Sequence, residues 1–198
     1  MAVKTGKWAR DPHDWYCDPA WITDRLFEVE SFDGNIIDPA CGRGNILESA
    51  RARGFSAYGY DVVRRSSLPG IEVQDFMHPT WSSRWLVDNI VSNPPFGMCD
   101  EKKVGAQPTF VELALRRATR KVALLMPATW HQADKRSRWL ETKPLRRIWH
   151  ITPRPAMPPG TYLAAGGKAG NGTTDFAYYV FLRGYDGPVE TRWLRRDP

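Results

Sequence analysis

The sequence predicts an α/β fold built on a mostly parallel sheet, and three observations carry that reading. Short apolar or aromatic runs alternate with segments of helical periodicity, the pattern of strands joined by helical crossovers. Two of these runs end in loops of unusual composition, Asp38-Pro39-Ala40-Cys41-Gly42-Arg43-Gly44 and Asn93-Pro94-Pro95-Phe96. The 198 residues, 42% hydrophobic and 25% charged, suit one globular unit with a sizeable core.

The elements follow in order. Asp18 to Glu30 has helical character, with Trp21, Ile22, Leu26 and Phe27 on one stripe and Pro19 near the start. Strands are predicted at 36–37, 57–60, 71–73, 90–91 and 122–126, with helices between them at 44–53, 78–86 and 109–120. A further helix is predicted over 129–142 and a strand over 146–151. The run Phe176–Leu182 reads as a strand that pairs with 146–151 as a late hairpin at the sheet edge, extended by Val189–Leu194. Between Thr152 and Asp175, four prolines and then five glycines leave no helix or strand period. So long a structureless loop in a compact domain is functional or disordered. No internal repeat and no second domain are visible.

Charge points to a polyanionic partner. The net charge is +6, and eleven Lys and Arg between Arg116 and Arg154 are opposed only by Asp134 and Glu141. No apolar run is long enough for a membrane span, and the N-terminal residues lack the apolar centre of a signal peptide. Cys17, Cys41 and Cys99 are odd in number and scattered, and the four histidines do not cluster with them. Neither a zinc site nor a disulfide framework is expected, and a reducing cytoplasm is the natural setting.

The second loop carries the clearest chemistry. Pro94 and Pro95 fix φ twice and remove two backbone donors, leaving their carbonyls without matching N–H groups. Asn93, preceding a proline, is pushed toward an extended conformation. The strand end then presents a side-chain amide, free carbonyls and the Phe96 ring. That set suits a planar heterocycle with an exocyclic NH2: acceptors hold the amine hydrogens and localise its lone pair while the ring stacks. In the first loop the glycines permit a tight turn and close approach of a ligand.

Together the loops resemble the signatures of the S-adenosylmethionine-dependent amino-methyltransferases of DNA, D-P-x-C-G-x-G and N-P-P-(Y/F). Their order resembles the gamma-type N6-adenine enzymes and the small phage and prophage adenine methyltransferases, and the likeness covers nearly the whole chain. The resemblance implies a Rossmann-like class I methyltransferase fold. Its seven-stranded sheet is mostly parallel with an antiparallel strand near the edge, and helices cover both faces. It implies a single domain over 1–198 with no separate target-recognition domain. The implied activity is methyl transfer from S-adenosylmethionine to N6 of adenine in DNA, with low or short sequence specificity, in a bacterial or phage-infected cell. Restriction protection, phage self-marking and regulation are the biological roles the resemblance leaves open.

Residue by residue, the resemblance places Asn93 and Pro94 as acceptors for the target amine, Pro95 as the stiffener and Phe96 as the stacking ring. Cofactor contacts are implied for Tyr16, Pro19, Asp38, Ala40, Cys41, Gly42, Gly44, Asp61, Val62, Asp75, Phe76 and Asn93. Asp38 belongs near the methionine ammonium, Asp61 on the ribose hydroxyls, and Asp75 with Phe76 at the adenine. Asp18 replaces the Thr that often precedes the proline of the segment Trp15–Ala20. No metal is needed. Because the target amine of a duplex lies inside the helix, the base must be flipped or the substrate single-stranded. Further substrate contacts are expected from Lys102, Lys103, Arg136, Arg138, Arg154 and Trp130-His131. Leu47, standing where a third Gly or Ala is expected, disfavours a nicotinamide site. The competing readings are N4-cytosine methylation, RNA adenine methylation and a non-catalytic nucleic-acid-binding subunit.

Overall fold

The computed structural model describes residues 13–78, 86–100 and 108–197. Eight strands are present among them: β1 (Ile36–Asp38), β2 (Ala57–Asp61), β3 (Ile71–Val73), β4 (Val87–Ser92), β5 (Ala118–Pro127), β6 (Leu145–Thr152), β7 (Phe176–Leu182) and β8 (Glu190–Arg195). They form one sheet in the order β3-β2-β1-β4-β5-β7-β6-β8. Only β7 runs antiparallel, between β5 and β6. The late hairpin is therefore present, and it is β7 that joins it to β5. To the seven strands that the resemblance implies, Glu190–Arg195, the expected extension, adds a parallel outer strand beside β6. One boundary differs from expectation. The helix predicted over 109–120 stops at Arg117, because Ala118 already pairs with Val87 of β4.

The helices are α1 (Ala20–Val29), α2 (Asn45–Arg51), α3 (Phe110–Arg117), α4 (Asp134–Glu141) and α5 (Gly160–Ala164). Thr109 starts α3 with a reciprocal cap: its hydroxyl accepts from the Glu112 N–H while the Glu112 carboxylate accepts from the Thr109 N–H. The stretch 129–142 is split at Ala133 into a short 3-10 turn and α4. The helix predicted over 78–86 falls almost wholly outside the described residues, as do Lys102 and Lys103. No helix among the described residues is long and apolar enough to cross a membrane.

Alternation along the strands builds two cores, one on each sheet face. Ile36, Val91, Ala123, Leu125, Tyr178 and Val180 pack with α1 and α2, whereas Ile37, Ile90, Leu124, Met126, Tyr179 and Phe181 pack with α3 and α4. Layering on both faces explains why β5 and β7 are near-continuous apolar runs. The chain leaves β1 toward β2 on one side and β4 toward β5 on the other. The carboxyl ends of β1 and β4 therefore form the switch point where open α/β sheets bind ligands.

Part of the basic segment serves the fold rather than the surface. Lys121 and Arg147 are buried and converge on buried Glu30: Lys121 Nζ donates to Oε2 at 2.8 Å, and Arg147 and Trp149 donate to Oε1. Arg117, also buried, donates to the Phe76 carbonyl at 2.8 Å. Three of the eleven cations are thus unavailable to a polyanion.

The Pro/Gly segment 152–175 also departs from expectation. It contains α5 and clasps the N-terminal strand of chain. Cys17 N–H donates to the Pro158 carbonyl at 3.0 Å, Gly160 N–H donates to the Trp15 carbonyl at 2.9 Å, and Tyr16 bridges Pro159. Gly160 lies flat on the Trp15 indole, where an added Cβ would fall 2.1 Å from a ring carbon. Gly160→Ala is expected to push Trp15 aside and, as an overpacking change, to cost about 1–3 kcal/mol. A thermal melt checks this; an unchanged midpoint would mean the clasp is loose.

Candidate active site

The carboxyl ends of β1, β2 and β4 open into a cavity of about 760 Å3. Of the predicted site residues, Tyr16, Asp38, Ala40, Cys41, Gly42, Asp61, Val62, Asp75, Phe76, Asn93 and Pro95 line it. Pro19, Gly44, Pro94 and Phe96 do not. Pro19 is the N-cap of α1. Gly44 is buried with φ +93°, and its role is to turn the loop into α2. Phe96 is half-buried behind the loop, tilted 33° against Phe176 with centroids 6.1 Å apart.

The first loop is braced from β2. Gly42 N–H donates to Asp61 Oδ2 at 2.8 Å, and Cys41 N–H donates to the Tyr60 carbonyl at 2.9 Å. Gly42 has φ +52°, and Trp15 stands 3.0 Å from where its Cβ would be, so backbone lines the cavity there. Asp61 Oδ1 accepts from Val63 N–H and pairs with Arg65. Arg65 and Arg43 lie over the Trp15 ring, at 4.6 and 5.5 Å from its centroid. Sequence reasoning missed Arg65. Its signal was the i, i+4 spacing from Asp61, which only a ligand-side view of the turn makes meaningful.

The second loop is anchored to the N-terminal segment. Asn93 Nδ2 lies 3.3 Å from the Tyr16 carbonyl and 3.5 Å from Asp18 Oδ1. That holds the amide with its nitrogen toward the segment and leaves Oδ1 as an acceptor, with no other partner among the described residues. Gly97 N–H donates to Asp14 Oδ2 at 3.0 Å. The expectation of two free proline carbonyls is half right. The Pro95 carbonyl accepts from Met98 N–H at 2.8 Å and closes the 3-10 turn, whereas none of the described residues donates to the Pro94 carbonyl.

Five carboxylates, Asp14, Asp18, Asp38, Asp61 and Asp75, line this cavity in a chain of net positive charge. Asp38 and Asp18 are buried. Burial pushes Asp38 up to about 8; bonds from Ser92 and the Ala40 N–H oppose the rise, and the charges of Asp18 and Asp61 add to it. Burial likewise pushes Asp18 up to about 6, against hydrogen bonds from its own backbone and Asn93. Asp18 Oδ2 is buried without a hydrogen-bond partner. An unpartnered buried acceptor on a residue that lines a cavity with four other carboxylates suits a cationic group. Both carboxyls are raised above their unfolded value near 4. Their stabilising contribution is complete below that value and is lost as pH rises through 6 and then 8. The ligand-free protein is expected to melt progressively lower between pH 5 and 8, and Asp38→Asn should flatten that slope. A melting series in constant ionic strength checks it; a midpoint rising over that range would refute it.

Of the other expected contacts, Trp130 is buried away from this cavity, against Trp139 and Tyr179. His131 Nδ1 lies 2.8 Å from the Tyr179 hydroxyl. Arg154 is paired with Asp175 at 2.6 Å.

Strand order, switch point and the two loops define a Rossmann-like methyltransferase fold. No family model matches the chain. The particular resemblance is to the modification methyltransferases of restriction enzymes. The chain is 36% identical over 83 residues to the type II methyltransferase M.VspI of Vibrio sp. (strain 343), a match covering 33% of this chain and 20% of that protein. It is similar in structure to a modification subunit assigned to a type I restriction enzyme of Vibrio vulnificus YJ016, with TM-score 0.61, 17% identity and coverage of 96% of this chain and 48% of that one. The type I restriction enzyme M protein M.EcoKI follows, with TM-score 0.59, 13% identity and coverage of 91% and 48%. The chain thus spans about half the length of these modification subunits.

Proposed function

We propose that the chain transfers a methyl group from S-adenosylmethionine to the exocyclic N6 amine of adenine in DNA. The observation that supports this best is the seating of Asn93, its amide held at the end of β4 beside the carboxylates at the ends of β1 and β2. The residues fit the cofactor: its ammonium and sulfonium are cations, the cavity presents Asp18, Asp38 and Asp61, and Asp18 Oδ2 lacks a partner. When bound, S-adenosylmethionine supplies an electrophilic methyl group on a sulfonium. Asp38 and Asp18 hold the ammonium end, the bare Gly42 backbone admits the chain, and Val62, Asp75 and Phe76 border the adenine end. Asp61 would serve the ribose hydroxyls; because Arg65 already occupies its Oδ1, Arg65 shares or yields that oxygen.

Asn93 Oδ1 and the Pro94 carbonyl accept the two amine hydrogens of the target. That withdraws the nitrogen lone pair from ring conjugation and aims it at the cavity. Catalysis is then positioning and stabilisation of developing positive charge on the amine. Phe96, with its half-exposed ring outside the cofactor cavity, stacks on the flipped base.

Nucleoside mass spectrometry of DNA and RNA incubated with protein and S-adenosylmethionine tests the reading. N6-methyladenine in DNA is expected. N4-methylcytosine would overturn the base assignment, methylated RNA alone the substrate, and no modified nucleoside the reaction. Low or short sequence specificity is part of the proposal. A methylome map in a methylation-free host showing a long strict site would refute it.

Binding is expected to release protons. A cation beside Asp18 and Asp38 favours their ionised forms, so affinity rises with pH up to about 8. Calorimetry in two buffers of different ionisation heat reads this directly. A buffer-independent binding heat at pH 6.5 would sink it.

A further inference from the structure

We propose that a second cavity, walled off from the first by the loop after β4, receives a base flanking the target on the same DNA strand. The inference rests on the DNA-methylation reading above. The cavity is about 180 Å3, and its lining includes Cys99, Glu112, Trp130, Arg136 and Trp139. Adjacent residues divide the two cavities. Met98 and Phe110 line the first, whereas Cys99 and Val111 line the second. The Cys99 thiol lies 3.6 Å from the Pro95 carbonyl, which ties the partition to the catalytic loop.

The chemistry of the lining selects a planar aromatic ring attached to an anion. Trp130 and Trp139 meet edge to face, centroids 6.4 Å apart at 84°, and form an aromatic corner. Trp130 is buried with Arg136 over its ring, so the partly exposed Trp139 indole, with Lys143 5.1 Å from its centroid, is the surface on which a flat ring can stack. The Arg136 guanidinium stands 5.0 Å over the Trp130 ring and is held by the Trp130 carbonyl and Asp100. Lys135 sits exposed at the rim, placed for a phosphate. Glu112, whose Oε2 caps the Thr109 N–H, has its other oxygen for the amine edge of a base. Stacking platforms beside cations are how proteins hold unpaired nucleotides. A flanking base held here would keep the strand splayed while its neighbour sits over Asn93.

The test walks a single abasic residue along a fluorescein-labelled single-stranded oligodeoxynucleotide on either side of its target adenine. Binding is read by anisotropy and methylation by rate, for the wild type, Trp139→Ala and Trp139→Phe. At one flanking position the abasic change is expected to weaken wild-type binding roughly tenfold, the loss of one base–aromatic stack. Trp139→Ala should show the same loss with intact DNA and be indifferent to that abasic position, while Trp139→Phe keeps most of the coupling. Lys135→Ala, on the exposed rim, should weaken all oligonucleotides alike and lower the salt slope by about one. Independent effects of Trp139 and of every abasic position, with methylation persisting, would overturn the second site and leave the methyltransferase reading intact. Coupling with RNA oligonucleotides alone would overturn it as a DNA site. No binding or methylation of DNA by the wild type would overturn both.

Discussion

Asn93→Ala is expected to lower the methyl-transfer kcat by about 10²- to 10³-fold, the usual effect of deleting one preorganised group aimed at developing charge. The substitution removes the Oδ1 acceptor for the target amine and leaves only the Pro94 carbonyl. It also removes the two contacts that the Asn93 amide makes with the Tyr16 carbonyl and Asp18 Oδ1. Cofactor affinity should change far less, because Asp18 and Asp38 keep their positions on α1's leading segment and β1. Asn93→Asp separates acceptor from anchor. It keeps an acceptor oxygen, loses the donor to Tyr16, and sets a second carboxylate beside Asp18, so it too should be impaired near neutral pH. Steady-state kinetics with saturating cofactor, alongside calorimetric cofactor binding, decides the matter. A near-wild-type kcat in Asn93→Ala would take the loop out of the reaction.

Glu30→Ala is expected to destabilise the fold by about 3–5 kcal/mol, because it strands Lys121 as a buried cation and leaves Arg147 with Glu190 alone. Domains of this kind are stable by only about 5–15 kcal/mol. Burial by itself would raise the Glu30 carboxyl, but hydrogen bonds from Lys121, Trp149 and Arg147 and the Lys121 charge outweigh it and hold it low. The sign of the pH effect follows. A depressed carboxyl contributes stability above its unfolded value near 4.3, and that contribution is lost as pH falls through the folded value. Urea denaturation at pH 7 measures the first effect and a series from pH 4.5 down to pH 3, below the range where Asp18 and Asp38 titrate, measures the second. Over that acid range the wild type should lose stability and Glu30→Ala should lose much less. Replacing Glu30, Lys121 and Arg147 together by apolar residues of similar volume should recover most of the loss, since no charge is then left unpaired. A cost below about 1 kcal/mol for Glu30→Ala would mean water already reaches the cluster. With Asp18 and Asp38 weakening the ligand-free fold toward alkaline pH, stability should peak between the two effects.

Local sequence reached far in this chain. The strand–helix alternation predicted the parallel sheet, and Phe176–Leu182 was readable residue for residue because both faces of β7 are buried and its seven residues contain no polar break but tyrosine. The cap of α3 is also written locally, as Thr109-x-x-Glu112 before an apolar run. Boundaries set by partners were not legible. Thr119 and Arg120 continue a helical pattern, and only the pairing of Ala118 and Lys121, on either side of them, with β4 makes this stretch strand. The segment 152–175 looked structureless because its contacts are with Trp15, Tyr16 and Cys17, some 140 residues away.

The sequence by itself determined the two loops, their order and the residue types on which the proposed chemistry rests. Those are properties of contiguous residues, written in covalent order. The tertiary structure alone decided which members face the cavity and how they are charged. It set Pro94 and Phe96 outside the lining and gave the Pro95 carbonyl to Met98. It buried three cations of the basic segment and brought Asp18 to Asn93 and Asp38. Those outcomes depend on burial and on distances between residues remote in sequence, which no local pattern encodes.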